Sequence, residues 1–335
     1  MPANTSLDWI EITEAAAIAG HSWLGRGDKN AADQAAVSAM RYLLNKTAIA
    51  GEIVIGEGEI DDAPMLYIGE KVGTGGRAID IAVDPIEGTR MTAMGQGNAI
   101  TVLAAAAKGS LLKAPDMYMD KLATGPGGKG AIDISKPLLD NLHSLARALG
   151  KKVSDLTVAT LAKPRHEDRI RQMRKVGVRV FEIPDGDVAL ALMAALPENP
   201  VDLMMSIGGA PEGVIAAAAM RALGGDMQTR LVLRDDAKGA SDENRQWSRL
   251  ETERCQALGL TPGEPMALTQ LASSDDVLFA ATGITQGDLL NGIQTHQGLV
   301  TCESLLIRGK QGDWRKVTTT QKLERLPAEI LGLLF

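Results

Sequence analysis

Ile79-Asp80-Ile81-Ala82-Val83-Asp84-Pro85-Ile86-Glu87-Gly88-Thr89 reads as a buried strand that runs into an acidic turn. The apolar residues before Asp84 are β-branched or small, as in a strand of a layered α/β protein. Proline has no N–H to give to a sheet, so Pro85 is expected to force the chain out of the sheet directly after Asp84. Two carboxylates three residues apart then share a turn with a glycine and a hydroxyl. Carboxylates so placed can converge on hard divalent cations, which take oxygen ligands. Gly88 lets the backbone approach a ligand closely. A capped strand and its turn would look the same, so the other acids of the chain have to decide.

Upstream, Glu52-Ile53-Val54-Ile55 is a second short strand, and it too ends in acids and glycines. Gly56-Glu57-Gly58-Glu59-Ile60-Asp61-Asp62 holds four acids and two glycines in seven residues. Two strands with such ends can place their acids together at one sheet edge, as in a metal site. Further upstream, residues 9–20 have helical spacing. Gly25-Arg26-Gly27-Asp28-Lys29-Asn30 is a turn, with Asn30 as N-cap of a helix to about Asn45. On that helix Asp33 lies in line with Val37, Met40 and Leu44. It either caps the helix at its third position or points inward with the apolar stripe.

Downstream, Asn98–Ala107 forms another strand, and the glycine-rich stretch 123–130 is a loop. That loop lacks the spacing of a P-loop, and no G-x-G-x-x-G occurs. After a helix over 136–149, strands alternate with helices: 157–161 and 167–176, 178–183 and 187–196, 202–207 and 211–223. This is the pattern of a mostly parallel sheet. Its strands end in Lys163-Pro164-Arg165, Asp185-Gly186-Asp187 and Gly208-Gly209-Ala210-Pro211-Glu212. Ligands of open α/β sheets bind at the carboxyl ends of strands, so these three turns should line one crevice. The helix starting at Pro211 and Glu212 favours an anion at its N-terminus. A charged surface helix over 242–258, a strand over 276–281 and a hairpin over 301–320 close the chain.

The 335 residues carry a net charge of −7, with 45% hydrophobic and 3% aromatic residues. Ala, Val, Leu, Ile and Met must therefore fill the core. The acidic balance argues against nucleic acid and against anionic membranes as partners. Cys255 and Cys302 have no paired spacing, which points to a reducing compartment. There is no basic segment followed by an apolar one at the start, and no run of about 18 apolar residues. A cytoplasmic location is expected. The four histidines stand apart from one another and from the cysteines, so a zinc site or a nucleophile–histidine pair has no support. His166 alone lies at a turn of functional interest. Carboxylates, glycines and a few cations remain, and these suit metal-assisted phosphoryl chemistry.

Asp84–Thr89 fits the pattern Asp-Pro-Ile/Leu-Asp/Glu-Gly-Ser/Thr and so resembles the signature of the lithium-sensitive phosphatase superfamily, which includes inositol monophosphatases and fructose bisphosphatases. Together with residues 25–30, 56–61, 114–119, 184–187 and 208–213, the chain is similar to class II (GlpX-type) fructose-1,6-bisphosphatase from about Ile12 to Thr320. Only the tail from Lys322 falls outside that pattern. The resemblance implies an αβαβα sugar-phosphatase sandwich with the active site between two sub-domains. The division expected is a metal-binding N-terminal α/β domain over 1–150 and a C-terminal α/β domain over 151–335 that contributes the sugar-phosphate contacts.

The same resemblance implies hydrolysis of the 1-phosphate of fructose 1,6-bisphosphate, a gluconeogenic step, with two divalent ions per site. Asp33 and Glu57 resemble ligands of one ion, and Asp84, Glu87 and Glu212 ligands of the other. Thr89, Asp61 and Lys29 resemble catalytic residues. Glu87, Gly88, Thr89, Tyr118, Lys163, Pro164, Arg165, Asp185, Gly186, Asp187 and Gly209 resemble the sugar-phosphate contacts. A charge count agrees: five acids carry −5, two divalent ions bring +4, and Lys163 and Arg165 suit a second phosphate. In-line attack by a metal-bound water, oriented by Thr89 with an acid of the 57–61 loop, is the expected chemistry. Mn²⁺ or Mg²⁺, and action on sedoheptulose 1,7-bisphosphate, stay open. So do an inositol- or nucleotide-phosphate phosphatase and a non-catalytic sugar-phosphate sensor. A homodimer or homotetramer is expected.

Overall fold

The computed structural model describes residues 6–58 and 65–335. In chain order the elements are α1 (Ser6–His21), α2 (Lys29–Leu44), β1 (Ile49–Ile55), β2 (Lys71–Val72), β3 (Arg77–Glu87), α3 (Thr89–Ala93), β4 (Ile100–Ala107) and β5 (Tyr118–Thr124). Then come α4 (Leu138–Leu149), β6 (Thr157–Leu161), α5 (Glu167–Lys175), β7 (Arg179–Ile183), α6 (Asp187–Ala195), β8 (Leu203–Gly209), α7 (Ala210–Leu223) and β9 (Asp226–Val232). The chain continues with α8 (Arg234–Lys238), α9 (Asp242–Ala257), β10 (Pro265–Ala267), α10 (Leu268–Leu271), β11 (Val277–Gly283), β12 (Gln294–His296), β13 (Leu299–Arg308), β14 (Asp313–Lys322) and α11 (Ala328–Leu331). The result is a mixed α/β protein with two sheets, each layered with helices, as the strand and helix alternation requires.

Two compact units result. One takes the chain up to Leu111 together with Ser274–Phe335, and the other takes Leu112–Ser273. The division therefore does not fall at residue 150. The reason is the pairing of β4, which has β3 on one side and β11 on the other, from Val277 opposite Ala106 to Gly283 opposite Ile100. Strands from the end of the chain complete a sheet begun at its start, and the second unit is an insertion between them.

The first sheet runs β12-β13-β11-β4-β3-β1-β2, with β14 paired to β13. Ile79, Ile81 and Val83 alternate along β3 and enter one core with Ala-rich faces of α1 and α2. Burying each of these aliphatic side chains contributes roughly 1.5–3 kcal/mol. Alanines 15, 16, 17 and 19 of α1 are buried, so that stretch of the helix meets the sheet closely, and Trp9 fills the same core nearer the start of α1. On the other face of β3, buried Asp80 accepts from the N–H groups of Ser110 (3.0 Å) and Leu111 (3.2 Å), which satisfies its carboxylate.

The second sheet runs β10-β9-β5-β8-β6-β7. Strands β6, β7 and β8 are parallel, whereas β5, β9 and β10 join antiparallel. The parallel expectation thus holds for the β6–β8 part alone. Strand β5, which has no strong apolar alternation to announce it, occupies the middle of the sheet between β9 and β8. Leu122 faces the core built with α4 and α5. The alternate residue, Lys121, faces the opposite side, toward α6 and α7.

Candidate active site

Strand β3 does not end at Asp84. Asp84 pairs with Val102 and Glu87 pairs with Ile100, so three steps on β3 match two on β4. The extra residue is a bulge across Pro85 and Ile86, a place where a proline can be held inside a sheet. Without it, residues 84 and 87 would lie on opposite faces. With it, both lie opposite residues two apart on β4, and both carboxylates share one face. The bulge is held locally: the Ile86 N–H donates to Asp84 Oδ1 (3.0 Å), and Thr101 Oγ1 donates to the Pro85 carbonyl (2.8 Å). Gly88 then takes φ 95° and starts α3, where Thr89 Oγ1 donates to the Ile86 carbonyl (3.1 Å).

Helix α2 begins two residues earlier than expected. Asp28, not Asn30, is the N-cap, and its Oδ1 accepts from the Ala31 N–H at 3.0 Å. Asp33 is therefore past the capping positions, and its carboxyl is free of that role. The loop before the helix is tied to α3, with Gly25 N–H on Thr92 O (3.0 Å) and Gly27 N–H on Ala93 O (2.8 Å). Lys29 is the exposed first residue of α2.

Asp33 hydrogen-bonds the carboxyl of Glu57, and burial pushes the Asp33 carboxyl above the usual carboxylate range. A cation bound between two such carboxyls would favour their charged forms. Glu57 follows β1 in a loop folded back on Leu66, whose carbonyl accepts from the Glu57 N–H (3.1 Å). A Cβ at Gly56 would lie 2.1 Å from that carbonyl oxygen, so only glycine fits the approach. Asp61 lies outside the described residues.

In the second unit the parallel strands bring their carboxyl ends to one edge, as expected. Lys163, after β6, pairs with Asp185, after β7, at 2.6 Å. Arg165 Nε donates to the Ile207 carbonyl of β8 (2.7 Å), and its guanidinium sits 5.0 Å from the Tyr118 ring centroid. Pro164 opens the short turn that carries Arg165. Tyr118 opens β5 opposite Gly209. Gly186, at φ 96°, precedes α6, and Asp187 starts it. Asp187 Oδ2 pairs with Lys121 Nζ (2.7 Å) and accepts from Ser206 Oγ (2.6 Å).

Glu212 stands in the first turn of α7. Burial raises its carboxyl above the usual range, and the Lys121 ammonium counters part of that. Its Oε2 is buried without a hydrogen-bond partner. A buried carboxylate oxygen in that state fits an external cation. A Cβ at Gly209 would lie 1.8 Å from Glu212 Oε2, so the glycine leaves room for that carboxylate where it stands.

His166 has a structural part. It is fully buried, with Nε2 accepting from the Ile207 N–H (2.7 Å) and Nδ1 2.8 Å from the Leu161 carbonyl. A backbone N–H can only donate, so the proton is on Nδ1 and the ring is neutral. Burial lowers its pKa to about 4.

The expected residues thus gather in two sets. Asp33 joins Glu57, and Asp84 joins Glu87, in the first unit, while Lys163, Arg165, Asp185 and Asp187 gather in the second with Tyr118, Gly209 and Glu212. The acids expected to hold metal do not all belong to one unit, since Glu212 stands in the inserted one. Among the described residues, no group of three or more His, Cys, Asp or Glu is gathered closely enough to hold a metal ion. Lys121 is the residue that sequence reasoning missed. A lysine within the short run Tyr118–Thr124 gives no local sign that it is buried.

The family of bacterial fructose-1,6-bisphosphatases encoded by glpX matches residues 3–321. The chain is 57% identical over 331 residues to fructose-1,6-bisphosphatase 1 class 2 of Escherichia coli (strain K12), covering 98% of each chain. It is 56% identical over 322 residues to fructose-1,6-bisphosphatase class 2 of Haemophilus influenzae, covering 96% of this chain and 97% of the relative. It is 43% identical over 340 residues to the D-fructose 1,6-bisphosphatase class 2/sedoheptulose 1,7-bisphosphatase of Synechocystis, covering 97% and 98%.

Proposed function

The chain belongs to the bacterial glpX-encoded fructose-1,6-bisphosphatase family, and on that premise we propose how its residues hydrolyse fructose 1,6-bisphosphate to fructose 6-phosphate and phosphate. The protein is a class 2 fructose-1,6-bisphosphatase, a hydrolase of the gluconeogenic direction. The bond broken is the one that holds the 1-phosphate. The family match over 3–321 carries this reading, because it spans every residue assigned a part.

Asp33 and Glu57 would hold one divalent ion, Mg²⁺ or Mn²⁺, and Asp84, Glu87 and Glu212 a second. Such ions, when bound, supply Lewis-acid polarisation and neutralise developing charge on the phosphoryl oxygens. The Asp33–Glu57 carboxyl pair and the orphaned Glu212 Oε2 support the donor set. Thr89 spends its one hydroxyl proton on the Ile86 carbonyl, so its oxygen is turned to accept a hydrogen bond from the attacking water. Asp61 takes up the proton that this water loses. Lys29, one turn before Asp33, adds positive charge beside the phosphoryl group.

Glu87, Gly88 and Thr89 meet the 1-phosphate. Lys163 and Arg165, set by Pro164 and Tyr118, take the remote phosphate. Asp185 and Asp187, presented around Gly186, accept the sugar hydroxyls, with Gly209 alongside. The enzyme acts in the cytoplasm as a homodimer or homotetramer, the latter readable by light scattering; no helix among the described residues is long and apolar enough to cross a membrane.

Phosphate release from fructose 1,6-bisphosphate, sedoheptulose 1,7-bisphosphate, inositol 1-phosphate and a nucleotide phosphate, with and without Mg²⁺ or Mn²⁺, tests the reading. The highest kcat/KM is expected on fructose 1,6-bisphosphate and only with metal. The double name of the Synechocystis relative favours secondary activity on the seven-carbon bisphosphate. A higher kcat/KM on inositol or nucleotide phosphate, or none at all, overturns it.

A further inference from the structure

Lys121 is fully buried, with its side chain at 0% exposure. Its ammonium pairs with Asp187 Oδ2 at 2.7 Å and donates to the Gly209 carbonyl at 2.6 Å. The cavity for it is moulded by glycine. A Cβ at Gly208 would stand 2.2 Å from Asp187 Oδ2 and 3.2 Å from Lys121 Nζ, and one at Gly213 would stand 3.3 Å from Lys121 Cδ. The neighbouring acid of the same turn, Asp185, is also paired with a lysine, but both members of that pair are partly exposed. Such an exposed pair contributes little and can exchange its partner for a phosphate. The buried pair cannot exchange.

A buried ion pair is a poor source of stability, because desolvation offsets the attraction. Apolar residues of similar volume are often neutral or better in the same place. Packing alone thus gives no reason for a lysine at position 121. We propose that Lys121 is a positioning residue of the sugar-phosphate site, whose ammonium sets the Asp187 carboxylate and the Gly209 backbone relative to each other. The inference rests on the reading that Asp187 and Gly209 contact the sugar phosphate. Three elements meet at this one cation: β5 supplies it, α6 supplies Asp187, and the β8–α7 junction supplies Gly209. Ser206 Oγ donates to the same Asp187 oxygen, so that oxygen is held twice and the carboxylate has one orientation. Lys121 itself does not touch substrate.

The test is the steady-state kinetics of Lys121→Met with fructose 1,6-bisphosphate at saturating Mn²⁺. A displaced contact weakens substrate binding, so KM should rise about 30-fold while kcat stays within about 3-fold. A lysine needed only for folding acts differently: it lowers the active fraction, hence kcat, and leaves KM unchanged. Lys121→Gln, which keeps N–H donors, should fall between the wild type and Lys121→Met in KM. A variant pair that folds with unchanged KM overturns the proposal, as does failure of both to fold, since Lys121 would then be a structural requirement. Asp187→Asn is the control for the reading beneath. If its KM is unchanged, the sugar-contact assignment fails; if its KM rises while that of Lys121→Met does not, the positioning role alone fails.

Discussion

The two charged regions of this enzyme are built on opposite plans. In the first unit the side chains proposed to hold metal are acids. Asp33 and Glu57 hydrogen-bond each other, and Asp84 and Glu87 are set on one face by a bulge. In the second unit acids and bases alternate: Lys163 with Asp185, Lys121 with Asp187 and, nearby, Arg169 and Arg230 on Asp120. Acids held close cost energy that a bound cation would relieve, so on the proposed roles the first region is the one that metal would complete. The second balances its own charge and is shaped beforehand. On the proposed roles the first region would carry the chemistry and the second, Glu212 apart, the recognition, because Lewis acids act on the bond that breaks and fixed ion pairs hold what does not change.

Asp84→Ala should break the comparison most. With one acid gone from the bulge, phosphate release at saturating metal should fall by roughly 10³-fold or more, since metal stabilisation amounts to several kcal/mol. The far-ultraviolet circular dichroism should not change, because Ile79, Ile81 and Val83 still anchor β3. Substantial residual turnover would remove Asp84 from the chemistry. Thr89→Ala comes next: kcat should drop about 100-fold, the low end for losing a group that handles the proton of the attacking water, with KM little altered.

Arg165→Ala sharpens the other side. Loss of a cation for the remote phosphate should raise KM about 30-fold and leave kcat nearly constant, because that phosphate is held alike in ground and transition states. If Thr89→Ala moved KM and Arg165→Ala moved kcat, the division between chemistry and recognition would be inverted.

The smallest effect concerns the frame of the recognition edge. His166 is buried neutral, with a pKa near 4 against an ordinary value of 6.5. Between these values the unfolded chain binds a proton that the folded chain does not, so stability rises with pH there. The contribution is fully present above pH 6.5 and is lost as pH falls toward 4. At pH 5.5 the loss is about 1.4 kcal/mol. Urea unfolding at pH 7 and pH 5.5 should show that difference in wild type and its absence in His166→Gln. Equal pH slopes in the two proteins would mean that His166 is not the titrating group.

The amino-acid sequence by itself determined the layered α/β class, the aromatic-poor core and most strand and helix positions, because these follow from local periodicity and propensity. It also pointed to a candidate site, since the acids and glycines at strand ends have few other uses together. The parallel strands β6 to β8 were legible because each is followed by its helix, and that arrangement places Lys163, Arg165 and Asp185 at one edge. Tertiary structure alone decided the rest. Pro85 lacks a donor in any context, yet whether the strand stops or bulges depends on β4, whose register takes Glu87 back into the sheet. The closure of the first sheet by β11 depends on hydrogen bonds between segments far apart in sequence. The burial of Lys121 and the neutral ring of His166 depend on which groups surround them. Local sequence sets what a residue can do, but partners brought from distant segments set its pairing, burial and charge.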